Sequence, residues 1–219
     1  MSRSALAVLA AVALACGPSA RAPQPSSHSA PQNATRYRVG DRVEYHMTGE
    51  FSAAPVRLVE TVVAQQDNRL RIDLEISRGD EKRSFAQVVS DTPENEENNV
   101  ADALYELKPD GTAAQLDPRR DLMRVYEWTL IKPDGKATDV KTAKCQKTIT
   151  DRTYECACTT GRNVWQGRPV RFENAVCADF LWTHGPARFW DEASGSDILR
   201  AEVTSSTHVD VAPQPFDPR

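Results

Sequence analysis

The sequence predicts an all-β protein built on a single antiparallel, strongly curved sheet of eight or more strands, a half-barrel or a sandwich, with at most one or two short helices. Three observations predict it. Apolar residues recur at every second position, the period of a strand with one buried face. Turn-forming clusters punctuate those runs at hairpin intervals. The segment that carries them, residues 37–211, is about 175 residues long, the size of one domain able to hold a real hydrophobic core.

The strands follow in order. Val43, Tyr45, Met47 and Phe51 alternate with Arg42, Glu44, His46 and Thr48. Residues 56–65 and 82–90 are rich in Val and fit strands with looser alternation. The clearest case is Leu70, Ile72, Leu74 and Ile76 against Arg69, Arg71, Asp73 and Glu75, which predicts one dry and one wet face. Near the end, Leu199, Ala201 and Val203 alternate with Arg200, Glu202 and Thr204. Turns are expected at Val39-Gly40-Asp41, Asp67-Asn68, Arg78-Gly79-Asp80 and the twice-used Lys-Pro-Asp-Gly of 108–111 and 132–135, read as two independent hairpin turns. Asp117-Pro118 is a good helix entry. Leu122, Val125, Tyr126, Thr129 and Leu130 have helical spacing, while Tyr126, Trp128 and Leu130 also alternate; a short helical turn near 118–123 followed by a strand is expected. Residues 91–99 read as a solvated acidic loop, without the spaced ligands and Gly of an EF-hand.

Four cysteines, Cys145, Cys156, Cys158 and Cys177, form an even set that reads as two disulfides in an oxidising compartment. Cys156 and Cys158 share one face of an extended run, with Cβ vectors that do not converge, so they do not pair with each other. That leaves Cys145–Cys156 with Cys158–Cys177, or Cys145–Cys158 with Cys156–Cys177. A four-thiolate zinc site fits less well, because two of the four stand alone. Seven of the chain's 15 aromatic residues fall within residues 154–190. They predict a core beneath the disulfides; the functional alternative is an apolar pocket lined by Trp165, Phe180, Trp182 and Trp190.

Other chemistry is thin. With 27 Lys+Arg against 31 Asp+Glu the chain is mildly acidic, at −4. It has no basic run, which excludes the ordinary electrostatics of nucleic-acid binding. His46, His184 and His208 stand apart, no His-Glu-x-x-His or Gly-x-Ser-x-Gly occurs, and no Gly-rich phosphate loop is present. No catalytic residue, metal or cofactor is assigned, and the expectation is a protein without enzymatic activity.

The N-terminus is more informative. Arg3, the apolar run of 5–15 and the closing Val12-Ala13-Leu14-Ala15-Cys16 form an export signal too short to span a bilayer. This closing sequence resembles the lipobox of bacterial lipoproteins, with Ala13 where Leu is commonest in that motif. The resemblance implies cleavage before Cys16, acylation of Cys16 and a durable membrane anchor. Gly17, a residue other than Asp, implies sorting to the outer membrane. Residues 16–36 then form a Pro/Ser-rich tether whose composition cannot support a core. It would span roughly 25 Å root-mean-square. Residues 212–219, with three Pro and one Phe, are expected to fray.

At the level of fold alone, long meandering strands on a lipoprotein are similar to the periplasmic lipoprotein-carrier half-barrels of the LolA/LolB type. The expected function is a lipid-anchored, non-catalytic binding or scaffold module of the cell envelope, whose partner, a protein or a hydrophobic ligand, the sequence does not identify. The alternatives are a carrier or sensor of a lipid or other hydrophobic ligand, and a hydrolase built from scattered residues.

Overall fold

The computed structural model describes residues 36–91, 101–182 and 184–219. The signal, Cys16, nearly all of the tether and most of the acidic loop lie outside the described residues.

Eleven strands form one antiparallel sheet: β1 (Asp41–Thr48), β2 (Val56–Gln66), β3 (Arg69–Arg78), β4 (Glu81–Ser90), β5 (Ala103–Leu107), β6 (Ala113–Leu116), β7 (Thr138–Ile149), β8 (Arg152–Trp165), β9 (Arg168–Val176), β10 (His184–Asp191) and β11 (Asp197–His208). Their order is β6-β5-β4-β3-β2-β1-β11-β10-β9-β8-β7, so the sheet is open and β6 and β7 are its edges. Neighbours in space are neighbours in sequence except at the β1–β11 seam. The first and last strands therefore meet in the middle of the sheet, and Asp41 stands opposite His208.

Period-two burial holds as the sequence predicts: β1 buries Asp41, Val43, Tyr45 and Met47 and half-exposes the residues between. Leu70, Ile72, Leu74 and Ile76 are all buried. Asp67, at a positive φ of 53°, turns β2 into β3, and Gly79, at 57°, turns β3 into β4. Register shifts at Glu44/Tyr45, Val62/Ala64, Phe189/Trp190, His184/Ala187 and Thr138/Lys141 are the bulges that bend the long strands. One face of the bent sheet encloses the main core, which runs along the strand order from β5 through to β7.

The single described helix, α1 (Pro118–Val125), starts as expected: Asp117 caps it by accepting from the Arg119 and Arg120 amides, and Pro118 occupies its first turn. The expected strand after it does not form. Residues 126–131 turn irregularly across the inner face, burying Tyr126, Thr129 and Ile131. Neither period holds over this segment, because one side of it must cover β3–β5: the Tyr126 hydroxyl donates to Gln87 (3.1 Å), and Trp128 lies beneath the guanidiniums of Arg78 and Arg83. The two Lys-Pro-Asp-Gly segments also part ways. The first is the β5–β6 hairpin turn, with Gly111 at φ 85°. The second joins residues 126–131 to β7, where Asp134 accepts from the Gly167 amide and donates to the Val164 carbonyl.

The outer face carries a smaller cluster of Ala86, Val88 and Tyr105, flanked by Ala103, Leu107 and Phe216. Phe216 belongs to the C-terminal segment that composition marks as fraying. That segment instead crosses the outer face of β2–β6, because a strip of small and apolar side chains there gives Phe216 something to bury against.

Candidate functional site

Sequence reasoning places interest at the cysteines and the aromatic cluster. Cys145 bonds Cys158 and Cys156 bonds Cys177, the second of the two predicted connectivities. The ladder explains the choice. Cys158 stands opposite Ala175 on β9, so Cys156 faces position 177 directly, and its Cα is 4.1 Å away. Cys145 is in register with Cys156 but takes Cys158 on the diagonal, at 5.9 Å. The bridges tie β7, β8 and the end of β9 together, and Cys156, Cys158 and Cys177 are buried.

Of the four aromatics, Trp165, Phe180 and Trp182 belong to the main core and Trp190 does not. Phe180 and Trp182 are core residues, each 2% exposed, with edge-on contacts from Tyr154 to Phe180 (5.5 Å between ring centroids) and from Tyr37 to Trp182 (5.2 Å). Trp165 ends β8 beneath the Arg168 guanidinium. Trp190 lies on the other face of β10 from buried Phe189, under Arg188.

The inner face also holds a polar layer. Glu60, on β2 between Val43 of β1 and Leu74 of β3, is 1% exposed. Its Oε1 finds no hydrogen-bond partner among the described residues. Burial pushes its carboxyl well above the ordinary carboxylate range. Burial likewise raises Tyr45 and Tyr126, and the charge that Glu60 would carry adds to both shifts. The Tyr45 hydroxyl donates to the His184 carbonyl (3.3 Å). Glu60 was legible as the one acid in the apolar register Val56, Leu58, Glu60, Val62, but sequence reasoning passed over it.

The histidines stay apart. His46 stands between Arg57 and Glu202 in the ladder, His184 begins β10, and His208 pairs with Asp41 (2.9 Å). No three His, Cys, Asp or Glu among the described residues are placed to hold a metal ion.

The outer face is where a segment of chain is bound. Arg71, expected on the wet side of β3, is 4% exposed because residues 212–219 cover it. It forms a two-point pair with Asp73 (2.8 and 3.0 Å) and donates to the Pro215 carbonyl (2.5 Å). Burial outweighs that pairing at Asp73, whose carboxyl sits above its ordinary range. The Gln214 amide donates to the Val63 carbonyl (2.8 Å). Arg69 lies over the Phe216 ring (5.2 Å), and Arg219 reaches Gln115 (2.9 Å) and the Tyr105 ring (5.6 Å). Beside this segment runs an unfilled cleft of about 250 Å³ bounded by Arg71, Leu107, Lys108, Thr112 and Pro218. The groove thus grips a proline-bearing segment by a main-chain bond, a buried arginine and an aromatic anchor. Nothing in the local sequence of β3 reveals this, since Arg71 and Pro215 are 144 residues apart.

No family model matches the chain, and no curated protein matches it. Three solved structures show distant likeness. A Bacteroides fragilis protein with a YmcC-like fold is similar at TM-score 0.41 and 5% identity, over 80% of this chain and 99% of that one. MucB, crystallised in complex with MucA(peri), is similar at TM-score 0.40 and 14% identity, over 80% of this chain and 51% of that one. The hypothetical protein CT021 of Chlamydia trachomatis is similar at TM-score 0.40 and 8% identity, over 81% and 92%. Among the described residues no helix is long and apolar enough to cross a membrane.

Proposed function

We propose that this chain is a lipid-anchored protein of the bacterial cell envelope, held in the outer membrane through acylated Cys16, and that it works as a non-catalytic module that binds proline-bearing peptide segments. The observation that carries the binding role is the groove across β2–β6, which holds residues 212–219 through Val63, Arg71 and the Ala86–Val88–Tyr105 cluster. Two features of the inner face point the same way. Phe180, Trp182, Tyr37 and Tyr126 fill the space that a carried lipid would need. Glu60, the most perturbed carboxyl there, is enclosed without a nucleophile or histidine in hydrogen-bond contact among the described residues.

The test uses the full mature chain with Gln214→Pro and Phe216→Ala, which removes the amide donor and the aromatic anchor of the segment. A labelled peptide of residues 212–219 is expected to bind this variant saturably and the wild type far more weakly. A fluorescent fatty acid is expected to bind neither. Saturable fatty-acid binding with no peptide binding would replace this reading by that of a hydrophobic-ligand carrier.

A further inference from the structure

The segment gripped in the groove has a twin in the chain. Ala212-Pro213-Gln214-Pro215 supplies the amide bonded to Val63 and the carbonyl bonded to Arg71, and the same four residues recur as Ala22-Pro23-Gln24-Pro25 in the tether. The repeated residues are those that make the two polar contacts. The residues that follow differ: Phe216 provides the aromatic anchor of the C-terminal copy, where the tether has Ser26.

The topology puts the twin within reach. β1 and β11 meet mid-sheet, where the Val209 amide donates to the Gly40 carbonyl (2.9 Å), and from Gly40 the chain leads back to Tyr37, packed against Trp182 on the inner face, and to Arg36, which donates to the Ala178 carbonyl (3.4 Å). The Gly40 amide donates to the Val62 carbonyl, next along β2 from the Val63 carbonyl that receives Gln214 (both 2.8 Å). The eleven Cα–Cα steps from Pro25 to Arg36 can cover at most roughly 35–40 Å, the length of chain available to pass from Arg36 at Ala178 round to the outer face.

We propose that Ala22–Pro25 of the tether is a second occupant of this groove, so that the two ends of the chain compete for one site. The inference rests on the peptide-binding reading above, and its consequence for the membrane rests on the anchor at Cys16. With the C-terminal segment bound, about 20 residues separate Cys16 from the domain, roughly 70 Å at full stretch. With the tether bound, five residues separate Cys16 from Ala22, roughly 20 Å at most, and the outer face of β2–β6 is drawn down to the lipid surface. Phe216 favours the first state; a partner that captures the C-terminal segment would favour the second.

Amide hydrogen exchange on the unacylated mature chain (Cys16→Ser) tests the competition without a membrane. In the wild type, Gln214 is expected to be protected and Gln24 to exchange freely. In the Gln214→Pro/Phe216→Ala variant, Gln24 is expected to gain at least about tenfold protection. Adding Gln24→Pro should abolish that gain and shift the resonances of Val88 and Tyr105. A second variant leaves the C-terminal segment intact: Ser26→Phe extends the identity to five residues and should lower Gln214 protection while raising that of Gln24. Gln32, in the partial copy Ala30-Pro31-Gln32 that ends in Asn33, is the internal control and should not change. Protection at Leu58 and Leu74 checks that each variant is folded. If Gln24 exchanges freely in both variants while the 212–219 peptide still binds the first, the competition is overturned and the peptide-binding reading stands. If neither segment binds, both fall.

Discussion

Burial without a partner fixes the protonation state of Glu60, and this has a measurable consequence for pH dependence. Its folded-state pKa is raised above the unfolded value near 4.5, so the folded chain holds a proton that the unfolded chain releases. The stability linked to that proton is complete below about pH 4.5 and is lost as pH rises through the folded value, by up to about 1.4 kcal/mol per pH unit. Glu60→Gln removes the titration. The unfolding free energy of the wild type, measured in urea at pH 4, 6 and 8, is therefore expected to fall relative to Glu60→Gln as pH rises. A difference that is constant across the three pH values would mean that Glu60 reaches a partner or solvent. Arg71 carries the contrasting lesson. Its charge stays buried because Asp73 pairs with Nε and Nη2 and the Pro215 carbonyl accepts from Nη1. Arg71→Leu should therefore free residues 212–219 from the outer face, read as faster exchange of the Gln214 amide.

At the scale of elements, β7 and β8 form the most exposed part of the sheet: residues 138–144 are all exposed, and the outer edge of β7 has no strand beside it. An edge of this length invites pairing with another chain, and charged side chains oppose it. Lys141 and Lys144 supply that charge, while Lys147 is paired with Glu173. Lys141→Thr with Lys144→Val is expected to produce concentration-dependent association in sedimentation velocity; a monomer at all concentrations would show that twist and exposure alone protect the edge. The same ribbon depends on its disulfides. Replacing Cys156 and Cys177 by Ala removes a cross-link spanning 21 residues, with an expected loss of about 3 kcal/mol, measured by urea unfolding.

How far such elements were legible depends on whether their partners are local. The strand of Leu70 to Ile76 was readable because its alternation records a buried face directly, and the pairing of β2 to β4 follows from the turns at Asp67 and Gly79. The same-face rule for Cys156 and Cys158 narrowed the bridges to two sets, but the choice between them needed the register of β7, β8 and β9. Residues 126–131 carried both periods at once, and the demand to cover β3–β5 left neither in force. The groove was invisible because its floor is β2–β6 and its occupant comes from beyond β11.

For the whole molecule, the central point is that the first and last strands, β1 and β11, meet in the middle of an open sheet whose inner face is already filled. On the function proposed above, such a domain would meet partners with its outer face and edges, and an N-terminal anchor would hold it within a tether's length of the membrane. The intact mass of the membrane-fraction protein, taken before and after reduction and thiol alkylation, tests this most directly. The expected result is a chain cleaved before Cys16 that carries acyl groups and takes up label at four thiols only after reduction. An unacylated chain, or one whose cysteines at 145, 156, 158 and 177 label without reduction, would contradict it.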